Sequence, residues 1–221
     1  MSKKLVWSIT LLALALCLPA TAQTTYFDDF GAGNNYQAGT GWTVSGSGVV
    51  GTSFTAANLF TSLASGSVSQ IDLAVGYVTG LNSFYAAVYT DNGGLPGTQL
   101  FRVDGLSSSQ NFGGCCGIVT ISGISGLTLD AGQQYFVVLG PEHLTDTTWE
   151  AWNLNSTGAM GIDLYSTDGG QSWNSNGQQT IGAFDIIGGT STGSVPEPSS
   201  LLLLGTGLVG AFSTLRKKIL R

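Results

Sequence analysis

Residues 83–90 read SFYAAVYT, and residues 91–94 continue DNGG. Phe84, Ala86 and Val88 fall on one side of this run, and Tyr85, Ala87 and Tyr89 on the other. Successive side chains of a β-strand point to opposite faces, so the alternation is that of a strand. One-sided alternation fits an antiparallel sheet with one face on a core. Asp91-Asn92-Gly93-Gly94 supplies residues that tolerate positive φ, and Leu95-Pro96-Gly97 leads into the next run. The stretch therefore predicts a strand, a tight turn and a returning strand.

The same pattern repeats outward. In QIDLAVGYV, Ile71, Leu73, Val75 and Tyr77 share a face. Short β-branched and aromatic runs bounded by Gly, Asn, Asp and Ser predict strands at 42–46, 69–78, 83–90, 98–106, 118–123, 134–140, 147–155, 161–167 and 182–188. Helical periodicity is nearly absent between them. The expected class is all-β, an antiparallel β-sandwich of the jelly-roll kind, with a closed barrel as the competing architecture.

The two ends read differently. Residues 1–22 carry Lys3 and Lys4, an apolar stretch from Leu5 to Leu18, and Ala20-Thr21-Ala22. This is the order of a secretory signal peptide, with signal-peptidase cleavage expected before Gln23. A lipoprotein reading through Cys17 is disfavoured, since Leu16 stands where a small residue is expected. Residues 23–188 are then one exported domain. Residues 189–195 (GTSTGSV) are a flexible linker in composition, and residues 196–221 are a sorting or anchor segment. Ser199 to Leu215 is 17 residues without a charge. As a helix it spans about 25 Å, the low edge for crossing a bilayer core of about 30 Å. Arg216, Lys217 and Lys218 are expected to stay cytoplasmic, as the positive-inside rule requires.

Charge narrows the partners. Between residues 23 and 188 stand twelve acids and one base, Arg102, a net charge of −11 that the whole-chain value of −6 conceals. Such a domain is repelled by nucleic acid and by anionic lipid surfaces. Calcium is the cation to consider, with Asp91 and Asn92, or Asp28 and Asp29, as oxygen ligands, although no EF-hand pattern is present. No other cofactor is indicated. Export permits disulfides. Cys115 and Cys116 are adjacent, so a bond between them ties no distant segments together; free thiols or intermolecular pairing are the alternatives. A single histidine, His143, and the absence of CxxC argue against a zinc site.

The tail resembles a known family. Pro196-Glu197-Pro198, the apolar span and the basic cluster Arg216-Lys217-Lys218 are similar to the PEP-CTERM sorting signal of Gram-negative bacteria. The resemblance implies processing by an inner-membrane exosortase and delivery to the cell envelope, outer surface or extracellular matrix. It also implies an association with exopolysaccharide and biofilm. The domain itself resembles the choice-of-anchor modules through DLAVGYVTGLNSFYAAVYTDNGGLPGTQL, LDAGQQYFVVL and GGQSW. That resemblance implies an exported β-sandwich of largely undefined activity.

Catalytic signals are weak. No G-x-S-x-G, Walker loop, HExxH or dinucleotide fingerprint occurs. Glu142 and Glu150 are the only glutamates of the domain, and nothing in the sequence places them across one cleft as glycoside hydrolysis requires. Ser166 to Trp173 (STDGGQSW) matches the Asp-box pattern, which is a structural hairpin turn where it is known. Aromatic residues are the better lead. Trp149 and Trp152 are three apart and face opposite ways on a strand, so one is expected in the core. The other, with Tyr165 or Trp173, is a candidate stacking platform for sugar rings. The expected role is non-enzymatic, structural or adhesive, with a carbohydrate-binding module and a glycosidase as the alternatives.

Overall fold

SFYAAVYT forms an inner strand of a six-stranded sheet. The computed structural model describes residues 23–189. The expected signal peptide, nearly all of the linker, and the sorting segment with its expected transmembrane helix lie outside the described residues. Among the described residues, no helix is long and apolar enough to cross a membrane.

The described chain is all-β. It begins with β1 (Thr25–Asp28) and β2 (Tyr36–Ser45), then a single helical turn, Ser47–Val50, and β3 (Thr55–Thr61). There follow β4 (Gly66–Leu73), β5 (Val75–Thr79), β6 (Phe84–Asp91), β7 (Pro96–Leu106) and β8 (Gln110–Asn111). The second half holds β9 (Val119–Ser122), β10 (Thr128–Leu129), β11 (Gln134–Pro141), β12 (Trp149–Asn155), β13 (Met160–Ser166), β14 (Asn174–Thr180) and β15 (Phe184–Gly188). Three sheets result. One runs β14-β13-β3-β11-β6-β7, one β2-β12-β5-β8, and one β1-β15-β4-β10, with β9 also on β4. Every strand pair is antiparallel except β5 with β8.

Two sequence expectations are corrected by this architecture. Residues 69–78 are not one strand. The chain breaks at Ala74, so β4 and β5 belong to different sheets. A buried backbone leaving one sheet for another must still pair its polar groups. Ala74 does so by donating its N–H to the Ala183 carbonyl and accepting from both the backbone and the side chain of Asn153. Asn153 is fully buried and serves as the joint. The second correction concerns β6 itself, which is buried on both faces. Phe84, Ala86 and Val88 enter the main core. Tyr85 and Ala87 enter a second cluster with Ala57, Phe136, Val138 and Leu164. The Arg102 guanidinium lies 3.6 Å from the centroid of the Tyr85 ring.

Aromatic contacts join the sheets through the main core. Phe60 of β3 meets Phe184 of β15 edge-on at 5.6 Å, and Phe27 of β1 stacks on Phe184 at 4.6 Å. Trp152 of β12 reaches the same Phe184 at 5.7 Å. Phe84, Phe184 and Trp152 are fully buried, and each contributes roughly 2–3 kcal/mol of transfer free energy. Close packing fixes the backbone opposite. Gly182 runs so near Trp152 that a Cβ there would overlap the indole. Its N–H donates to Asn58 Oδ1 at 2.8 Å.

Candidate functional site

Trp152 has a directly paired neighbour, Trp42, across the ladder of β12 and β2. Paired residues share a face, so both indoles project from the same side of their sheet. Their surroundings differ. Trp152 is sealed, and its Nε1–H donates to the Ala183 carbonyl at 3.1 Å. Trp42 is only half-buried, with its Nε1–H donating to the Thr180 carbonyl at 3.1 Å. The bond fixes the ring while leaving part of it open.

That open part lines a recess of about 250 Å³ bounded by Trp42, Phe54, Asp163, Leu164, Tyr165 and Asn176, among others. Four elements build it, with Asn176 supplied by β14. β2 brings Trp42. The segment entering β3 brings Phe54, held by a reciprocal backbone bridge to Ser45. β13 brings Asp163 and Tyr165, which pair with Asn58 and Ala56 of β3 and so stand on one face. The Phe54 and Tyr165 rings lie 6.3 Å apart, tilted by 46°.

Asp163 is the one carboxylate in this lining. It is buried, and its two oxygens accept amide N–H groups from Asn58 at 2.7 Å and Asn176 at 2.5 Å. Burial pushes its pKa up to about 6, while the bonds from Asn176 and Asn58 pull it down. An ionised carboxylate offers about four acceptor sites, so two bonds leave capacity for a ligand donor.

The residues expected from sequence do not converge. Tyr165 lines the recess. Trp152 is withdrawn from any surface role because it is fully buried, and Trp149 is half-buried elsewhere on β12. Trp173 packs against the second cluster and under Gly170. It closes the Ser166–Trp173 turn, where Gly169 and Gly170 take positive φ. In this turn Asp168 accepts from the Ser172 hydroxyl and backbone and from the Ser166 hydroxyl, which hold its pKa down at about 2. The sequence pattern does not single out Trp42. Its neighbours Thr43 and Val44 continue an ordinary strand pattern, and only the pairing with β12 reveals its position.

The other candidates carry structural duties. Glu142 accepts from the Ser83 hydroxyl and the Gly105 N–H. Glu150 is fully buried and accepts from the Ser108 hydroxyl, and burial raises its pKa to about 7. Asp91 caps its own turn by accepting the Gly94 N–H, and the Asn92 N–H donates to Leu95. Asp28 accepts from the Phe30 N–H and Asp29 from the Phe184 N–H. Among the described residues, no group of three or more His, Cys, Asp or Glu side chains is arranged to hold a metal ion. Cys115 and Cys116 are bonded to each other in an exposed loop beside Asn35.

The sorting residues Pro196, Glu197 and Pro198 and the bases Arg216, Lys217 and Lys218 lie outside the described residues. Comparison with known proteins bears on them directly. No curated protein and no solved structure matches the chain. Residues 194–217 match the PEP-CTERM protein-sorting motif, and the chain is thereby an exported protein, sorted through the membrane with exosortase as its processing partner.

Proposed function

We propose that this protein is a non-enzymatic component of the cell surface or extracellular matrix of a Gram-negative bacterium, with an adhesive or structural role in exopolysaccharide. One observation carries the reading: a sorted, exported domain presents an aromatic recess, lined by Trp42, Phe54 and Tyr165, with hydrogen-bonding groups at Asp163 and Asn176. Aromatic faces stack on the apolar faces of sugar rings while nearby polar groups orient the hydroxyls. A volume near 250 Å³ lies below the range of about 300–1,000 Å³ for drug-sized ligands and suits a single ring of a longer chain. Hydrolysis is disfavoured, because the recess has one carboxylate in its lining where glycosidases use two.

The domain is read as a jelly-roll-like sandwich, on the ground that its largely antiparallel sheets close on one shared hydrophobic core. Its uncharged tail segment at 199–215 is read as a transient inner-membrane anchor, with Arg216, Lys217 and Lys218 on the cytoplasmic side until exosortase acts. Calcium has no assigned role.

Co-sedimentation of the purified protein with the host's own matrix polysaccharide tests the reading. The wild-type protein is expected in the pellet, and Trp42→Ala and Tyr165→Ala are expected to remain in solution while still folded. Equal retention of the folded variants, or no retention of the wild type, contradicts it.

A further inference from the structure

We propose that the Trp42–Phe54–Tyr165 recess selects a cationic unit, the protonated amine of an amino sugar, over the corresponding neutral unit. This rests on the polysaccharide reading above and adds the chemical class of the preferred ring. Three aromatic side chains share the recess, and each ring presents a negative face that attracts a cation. Asp163 in the same wall receives amide donors only, from Asn58 and Asn176. Those bonds orient the carboxylate without neutralising it.

No basic side chain lines the recess. The domain has no lysine, and its one arginine, Arg102, is committed to Asp104 at 2.6 Å and to the face of Tyr85. A positive charge at the recess must therefore come from a ligand. The domain's net charge of −11 acts in the same direction. It draws cationic chains toward the surface and repels uronate or sulfated ones. A neutral ring keeps the stacking and can set a hydroxyl against the Asp163 carboxylate, whereas an ammonium group adds to such a bond the direct attraction of opposite charges.

The test uses the protein as purified from the cells that express it, titrated at pH 7 and low salt with two probes. One is an oligomer of glucosamine, and the other is the same oligomer fully N-acetylated. The amine form is expected to bind several-fold to about thirtyfold tighter, the span of cation–aromatic attraction from exposed to desolvated sites. Asp163→Asn is expected to narrow the gap. Should that variant fold poorly, Phe54→Ala and Tyr165→Ala serve in its place. Equal affinity for the two forms overturns the cationic preference and leaves the sugar reading standing. Binding of neither form, nor of a neutral glucan, overturns both. A preference that survives loss of Trp42 and Tyr165 together overturns the assignment to this recess.

Discussion

Trp152 and Trp42 are the same residue type, on adjacent paired strands, on one face. One closes the centre of the molecule against Phe184 and Gly182, and the other borders an opening with Phe54 and Tyr165. The difference lies in what the facing chain supplies. Opposite Trp152 the backbone of Gly182 approaches to contact, and water is excluded. Beside Trp42, β13 and the edge strand β14 offer Asp163 and Asn176, polar groups that leave room. Side-chain identity thus fixes the capacity for stacking, and the facing strand decides whether that capacity serves stability or recognition.

The sharpest way to break this contrast is to remove each ring. Trp152→Ala is expected to cost about 3–5 kcal/mol, as large-to-small changes in sealed cores do. A urea midpoint close to wild type contradicts the central role given to Trp152.

Buried carboxylates come next. Burial pushes Asp29 up to about 8, against its bond from Phe184, with Asp28 and Asp185 adding to the rise. Burial, followed by the charges of Asp72 and Asp28, takes Asp185 up to about 7, and burial raises Glu150 to about 7. Raised values mean that the folded chain holds more protons than the unfolded chain between about pH 4 and 8. Stability therefore falls as pH rises through that window and is greatest near its acid end. Thermal melts at pH 5 and pH 8.5 check the sign, and a higher melting point at pH 8.5 contradicts it. Glu150→Gln is expected to recover on the order of 2–3 kcal/mol at pH 8.5 and to flatten the slope, because each tenfold weakening of a buried acid costs about 1.4 kcal/mol once it must ionise.

Trp42→Ala is expected to cost less, about 1–2 kcal/mol, for a half-buried ring and one hydrogen bond to Thr180. The smallest effect is expected from reducing the Cys115–Cys116 bond. Adjacent cysteines close no intervening chain, so the unfolded state gains little freedom. A stability loss under about 1 kcal/mol is expected in melts with and without reductant, and a collapse of the fold refutes it.

The same contrast explains what the sequence shows and what it hides. β6 is legible because its aromatic residues and Val88 fall on alternate faces between Phe84 and Tyr89, and β11 because Tyr135 to Leu139 is a run of strand-forming side chains. β3 (TAANLFT) is not, although it lies at the sheet's centre. Its alanines and the buried Asn58 suit close packing on both faces and carry no alternation. The break at Ala74 is hidden because the apolar pattern continues through it. Spacing separates Trp149 from Trp152 by face, but only strand pairing brings Trp42, Phe54 and Tyr165 together from three separate segments. The sorting motif at 194–217 is legible because it is recognised as a linear sequence and needs no partner strand.

Indole N–H resonances offer the most direct test of the recess. The protein is labelled with nitrogen-15 at tryptophan and titrated with fragments of the host's matrix polysaccharide. The Trp42 resonance is expected to shift in a saturable way, while Trp149, Trp152 and Trp173 stay in place. Shifts centred on Trp149 or Trp173, with Trp42 unmoved, contradict the assignment of binding to the recess.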